Sequence, residues 1–189
     1  EGSGASMSLV RGPLNDGSGE GNWAFGQAYV YAGLDLFGRV LYEINHPRAQ
    51  ECLKAAHTLR QAIAKSFGTA SVRSPLVQLR DHTWIPYVPC EASKTGRLLE
   101  QWYPTDVDTG AIHLLRLKAL PADGLLADSL LNDHEDNLYL NGWGMANEPV
   151  YNQQATAYLL RDDPYEFLWD VDDQMLHGFM KNAIHLFCN

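Results

Sequence analysis

At 189 residues the chain is long enough for one sizeable core, and its 46% hydrophobic and 20% charged residues suit a soluble globular protein. A net charge of −9 argues against a nucleic-acid backbone or an anionic membrane surface as the partner, and fits a neutral or sugar-like ligand. No apolar run reaches the ~18 residues needed to span a bilayer. Cys52, Cys90 and Cys188 are odd in number and lack metal-ligand spacing, so they read as small buried thiols rather than a disulfide framework or a zinc site.

Residues 1–21 are rich in Gly, Ser, Asn and Asp and read as a flexible N-terminal tail. The glycines at 17–21 have neither a preceding strand nor a lysine, so a linker is favoured over a phosphate loop. The first helix is expected from near Trp23 to about Ile44. Its strongly polar residues Gln27, Asp35, Arg39 and Glu43 form one narrow stripe, and a helix apolar around most of its circumference belongs inside. The second opens at His46-Pro47 and is expected to end at Gly68 as a C-cap. One apolar face (Ala49, Leu53, Ala56, Leu59, Ile63, Phe67) and a charged remainder make it an outer, half-exposed helix.

Between 69 and 104 the helical pattern breaks, and 76–88 reads as a short β-hairpin-like excursion that Pro86 limits to an edge. The inner-then-outer pattern then recurs. Thr105 and Asp108 make a capping-box-like start, with a helix expected through Ala111, Ile112, Leu114, Leu115 and Leu117 to Pro121. A short helix follows with Leu125, Leu126, Leu130 and Leu131. A third inner helix begins at Asn147-Glu148-Pro149, and Asp163-Pro164 opens its outer partner. Asp106 and Glu148 lie 42 residues apart, the length of one helical hairpin, which suggests a solenoid or a closed ring of hairpins. The expected fold is therefore all-α: repeated inner and outer helical hairpins over 22–189, a partial α/α toroid. Because the chain opens on Glu1 and closes in a helical pattern, it reads as a piece of a longer protein, which leaves its location open.

In such a ring the inner helices point the same way, so their first turns share one face, where unpaired N–H groups favour carboxylates. That face would gather Asn22, Trp23, Gln27, Trp102, Tyr103, Asp106, Asp108, Trp143, Asn147, Glu148, Tyr151 and Asn152. Aromatic rings stack on pyranose faces, amides bond hydroxyls, and two acids with separated pKa values divide acid and base or nucleophile duties. Glu148 is the candidate acid, and Asp106 or Asp108 the base or nucleophile. Asn22, Trp23, Gln27, Trp84, Trp102, Trp143, Tyr151 and Asn152 are the candidate substrate-binding residues. The rival reading is structural: the acids complement helix dipoles and the aromatics fill the core. Asp133-His134-Glu135-Asp136-Asn137 lacks the Gly and distal Glu of a calcium loop and reads as a solvated inter-helix loop. His82, His113 and His134 have no partner at zinc spacing, so neither metal nor cofactor is expected.

The stretches Gly21-Asn-Trp-Ala-Phe-Gly-Gln27, Gln101-Trp-Tyr-Pro-Thr-Asp-Val-Asp-Thr-Gly110 and Gly142-Trp-Gly-Met-Ala-Asn-Glu-Pro-Val-Tyr-Asn-Gln153 resemble loop-to-inner-helix junctions. Through them, the chain over about 22–165 resembles the six-hairpin, (α/α)₆-toroid glycoside hydrolases of bacterial carbohydrate degradation. The resemblance implies a poly- or oligosaccharide substrate and an inverting or retaining hydrolase using two Asp/Glu residues. A full toroid needs six hairpins and this chain supplies about three. Half a ring would leave apolar flanks in water, so either the remaining hairpins lie on another chain or segment or the chain forms an open α-array. The alternatives are a non-catalytic helical-repeat binding or scaffold module, and a polysaccharide lyase on the same ring with Tyr151 or His113 as base.

Overall fold

A computed structural model describes residues 9–13, 20–96, 110–134 and 136. These residues are mostly helical, with two small antiparallel strand pairs. Helix α1 (Ala24–Glu43) appears where the apolar pattern places it, and helix α2 (Ala49–Arg73) follows after a five-residue turn. Asn45 makes that turn with a φ of 54°, a left-handed conformation that asparagine tolerates better than most side chains. His46 N–H then donates back to the Leu41 carbonyl (2.8 Å), satisfying one of the orphan acceptors at the helix end.

Close approach of the two helices depends on Gly38. A Cβ there would stand 2.9 Å from Leu53 Cγ and 3.1 Å from the Leu53 backbone nitrogen. Ala24, Ala28 and Tyr31 of α1 and Ala56, Leu59, Ile63 and Phe67 of α2 form the core that later elements cover.

Gly68 does not end α2. Helix formation continues through it to Arg73 because Ala70 and Ser71 extend the buried face. That packing offsets the ~1 kcal/mol penalty of an interior glycine. Ser74 is the true stop. Its hydroxyl donates to the Ala70 carbonyl (2.8 Å), its N–H to Ser71 (3.1 Å), and Pro75 cannot continue the helix.

The expected excursion is a β-hairpin, with β3 (Leu76–Gln78) antiparallel to β4 (Trp84–Pro86) and Leu76 opposite Pro86. Asp81 Oδ1 accepts from both the backbone N–H (2.9 Å) and the hydroxyl (2.6 Å) of Thr83, closing the tip. Within the stretch read as a tail, strands β1 (Gly12–Pro13) and β2 (Glu20–Gly21) also pair antiparallel.

The helix after Gly110 is shorter than the pattern suggests. Helix α3 is only Ile112–Arg116, and Gly110 and Ala111 precede it, so one helix from the Thr105 cap to Pro121 does not form. Lys118 takes a φ of 61°, and Leu120 N–H donates to the Leu114 carbonyl (2.9 Å). This folds Leu120 back onto the core and ends the helix, because burying Leu120 outweighs another turn of backbone.

Helix α4 (Leu125–Asp133) forms where Leu125, Leu126, Leu130 and Leu131 predict it. Asp133 and His134, however, are buried rather than solvated. Asp136 accepts the Arg80 N–H (2.8 Å) and pairs with its guanidinium (3.5 Å), tying the end of α4 to the hairpin tip. The third inner helix and its outer partner fall outside the described residues, as do both members of the 42-residue spacing, Asp106 and Glu148.

The expectation that α1 lies wholly inside is also corrected. It buries Ala24, Gln27, Ala28, Tyr31, Gly38 and Leu41. On the opposite side Tyr29, Val30, Leu36, Phe37, Val40 and Ile44 are exposed, Leu36 to 66%. α2 and α3 flank the helix but leave this stripe open.

Candidate functional site

The start of α1 is held by an extended segment rather than by a side-chain cap. Trp23 forms an isolated antiparallel bridge with Glu91. Ala24 N–H donates to the Cys90 carbonyl (2.8 Å) and Ala92 N–H to that of Asn22 (3.1 Å). The first orphan donor of the helix is thereby satisfied by another strand-like segment.

Glu91 locks this junction. It is 2% exposed, and its carboxyl accepts from Asn22 N–H (2.7 Å), Ser93 N–H (3.0 Å) and the Ser93 hydroxyl. Three donors on one buried acid replace the hydration it loses. Gly21 must remain small, since a Cβ there would lie 2.9 Å from Trp23 Nε1 and 3.1 Å from Glu91 Cγ.

Asn22, Trp23 and Gln27 do share one end of α1, but the latter two side chains turn inward. Trp23 is buried against Cys90, with Phe25 beside it. Gln27 is buried too, and its amide clamps the backbone of Val10, accepting from Val10 N–H (2.9 Å) and donating to Val10 O. Trp84 sits on the separate β3–β4 hairpin and is 59% exposed. Glu148, Asp106, Asp108, Trp102, Trp143, Tyr151 and Asn152 lie outside the described residues.

Four residues outside the candidate hydrolase acids and substrate-binding residues gather between α1 and α3. Phe25 meets His113 edge-on at 4.9 Å between ring centroids, Tyr29 meets it at 5.6 Å, and Phe25 and Tyr29 lie 4.6 Å apart. Arg116 Nη1 donates to the Tyr29 hydroxyl (2.9 Å). His113 is 1% exposed, so it packs as an aromatic body inside the core.

Phe25 and Tyr29, one turn apart on α1, both meet His113, and Tyr29 also meets Arg116, so α3 packs against the first turns of α1. His113 was legible as a polar residue inside the apolar run 111–115. Glu91 had only its Ser neighbour two positions on as a signal, and Arg116 had none.

Among the described residues, no group of three or more His, Cys, Asp or Glu could hold a metal ion, and Cys52 and Cys90 are buried. No described helix is long and apolar enough to cross a membrane. Hydrogen bonds from Thr83 lower the Asp81 pKa, and the Arg48 hydrogen bond lowers that of Glu51 and raises its own. Comparison with protein-family models, curated proteins and solved structures finds no match for this chain.

Proposed function

We propose that this chain is part of a helical-hairpin, toroid-like glycoside hydrolase acting on a poly- or oligosaccharide. Glu148 serves as the acid, and Asp106 or Asp108 as base or nucleophile. The observation that supports it is the packing of α3 against the first turns of α1. Inner helices of a hairpin ring pack against one another in this way. The exposed apolar stripe of α1 supports the same reading, because a partial ring leaves such a flank for further hairpins.

The test is activity on a broad glycoside panel with Glu148→Gln and Asp108→Asn. Loss of a positioned acid or base lowers kcat by about 10²–10⁴-fold. Wild-type turnover in both variants overturns the assignment. If activity is present, product stereochemistry separates retention from inversion, which require carboxyl separations of roughly 5–5.5 Å and 6.5–9.5 Å.

A second reading, a non-catalytic helical-repeat binding or scaffold module, is favoured by the burial of Trp23 and Gln27, which serve packing and the Val10 clamp. It predicts ligand retention without turnover on the same panel. A lyase with His113 as base is disfavoured by that side chain's burial.

A further inference from the structure

We propose that the outward face of the β3–β4 hairpin is a platform for one ring of a neutral saccharide chain, with Trp84 as the stacking surface and Gln78 as the hydroxyl-binding amide. This rests on the carbohydrate reading above but not on catalysis. The register sets Gln78 opposite Trp84 and Leu76 opposite Pro86, so these four side chains share one face and Val77 and Ile85 the other. Val77 and Ile85 are half-buried, and α4 lies against β4. On the outward face Trp84 is 59% and Leu76 55% exposed, and Gln78 is exposed too. An antiparallel pair with one covered face ordinarily turns polar residues to water. Here three of the four outward residues are apolar and none is charged. Apolar surface kept in water on an otherwise polar exterior marks a contact site.

Size and chemistry select the occupant. The face spans roughly 7 Å along the strands and about 5 Å across them. That matches a single sugar ring, whereas a stable protein interface buries about 800 Å² on each partner. An indole face stacks on the apolar C–H face of a pyranose. A carboxamide directly opposite it donates and accepts at once, which suits two neighbouring hydroxyls. With no charge among the four, the face favours a neutral sugar over a uronate. The platform is also braced before any ligand arrives. Leu79 N–H donates to the Thr83 carbonyl (2.9 Å), Asp81 gathers the Thr83 N–H and hydroxyl, and Arg80 N–H donates to Asp136 (2.8 Å). Holding the ring in place in advance lowers the ordering cost of binding.

Affinity electrophoresis of the full chain tests this in gels carrying hydroxyethylcellulose, xylan, galactomannan or glycogen, with polygalacturonate as the charged comparison. At least one neutral polymer should retard the chain more than polygalacturonate does. Trp84→Leu, apolar but without a ring, should weaken that retention tenfold or more, whereas Trp84→Tyr should restore most of it. Because the indole is exposed, the thermal melts of both variants should match wild type. Should Trp84→Leu lower the melt, Gln78→Ala decides on the same gels, and it must weaken retention at least threefold. No retardation by any neutral polymer, stronger retention by polygalacturonate, full retention by Trp84→Leu, or Trp84→Tyr as weak as Trp84→Leu each overturns the platform. Glu148→Gln separates the two proposals, because it should abolish turnover and leave retention unchanged. Loss of turnover there without retention of any neutral polymer overturns the platform alone. Ring-dependent retention with wild-type turnover in Glu148→Gln and Asp108→Asn overturns the catalytic assignment alone.

Discussion

α1 and α2 share one hairpin and one core yet present opposite surfaces to water. α2 shows solvent Glu51, Lys54, His57, Arg60, Gln61 and Lys65, with Ala56, Leu59, Ile63 and Phe67 turned inward. α1 buries alanines, a glutamine and one tyrosine, and shows solvent Tyr29, Val30, Leu36, Phe37, Val40 and Ile44. The difference lies in how many sides each helix was built to cover. α2 turns its main apolar face onto α1, whereas α1 carries a second apolar face that is exposed among the described residues. The start of α1 contrasts with that stripe again. There Glu91 forms a closed set of hydrogen bonds with Asn22 and Ser93, and Gln27 separately clamps Val10.

The largest expected effect comes from breaking that closed set. Glu91→Ala removes the acceptor of three hydrogen bonds and leaves the Asn22 and Ser93 N–H groups without it. This should destabilise the fold by about 3 kcal/mol, read as a fall in the urea midpoint. An unchanged midpoint would mean that the junction contributes no more stability than the open stripe.

A smaller effect sharpens the contrast within α1. Gly38→Val should destabilise by about 2 kcal/mol, since its Cβ would press on Leu53 side chain and backbone together. Gly33→Ala, on the open side, should instead stabilise by up to about 1 kcal/mol through helix propensity. The same sign for both in thermal melts would show that the two sides of α1 are not distinct.

The smallest effect concerns the hairpin tip. Thr83 holds the folded-state pKa of the Asp81 carboxyl below its ordinary 3.8. The unfolded chain therefore protonates first as pH falls. The contribution is complete above that ordinary value and is lost as pH drops from it through the lower folded value. Amide exchange at Thr83 should rise over that acid window, and in Asp81→Asn its pH dependence should vanish beyond the intrinsic exchange trend.

Much of the helical framework was legible from periodicity. The limits of α1, the existence of α2, the 76–88 hairpin and α4 follow from apolar spacing, proline placement and turn chemistry, all local properties of the chain. Misread were the places where local chemistry lost to burial. Gly68 resembles a cap, but Phe67, Ala70 and Ser71 find core on both sides of it and hold the helix through. The run 111–117 resembles a long helix, but Leu120 folds back and the chain turns at Lys118. Asp133 and His134 resemble solvated loop residues until α4 carries them inside.

For the site, the sequence by itself determined that Asn22, Trp23 and Gln27 cluster at one helix start, because one turn of helix brings them together. Only the tertiary structure decided which way they face. Trp23 and Gln27 point inward because residue 10 and residues 90–92 arrive there to pair with them. Tyr29 and Arg116 meet, although 87 residues separate them, because α3 packs against the first turns of α1. Periodicity reports the face of a single helix. Which side chains share a surface depends on the relative placement of helices, and that is set by long-range packing.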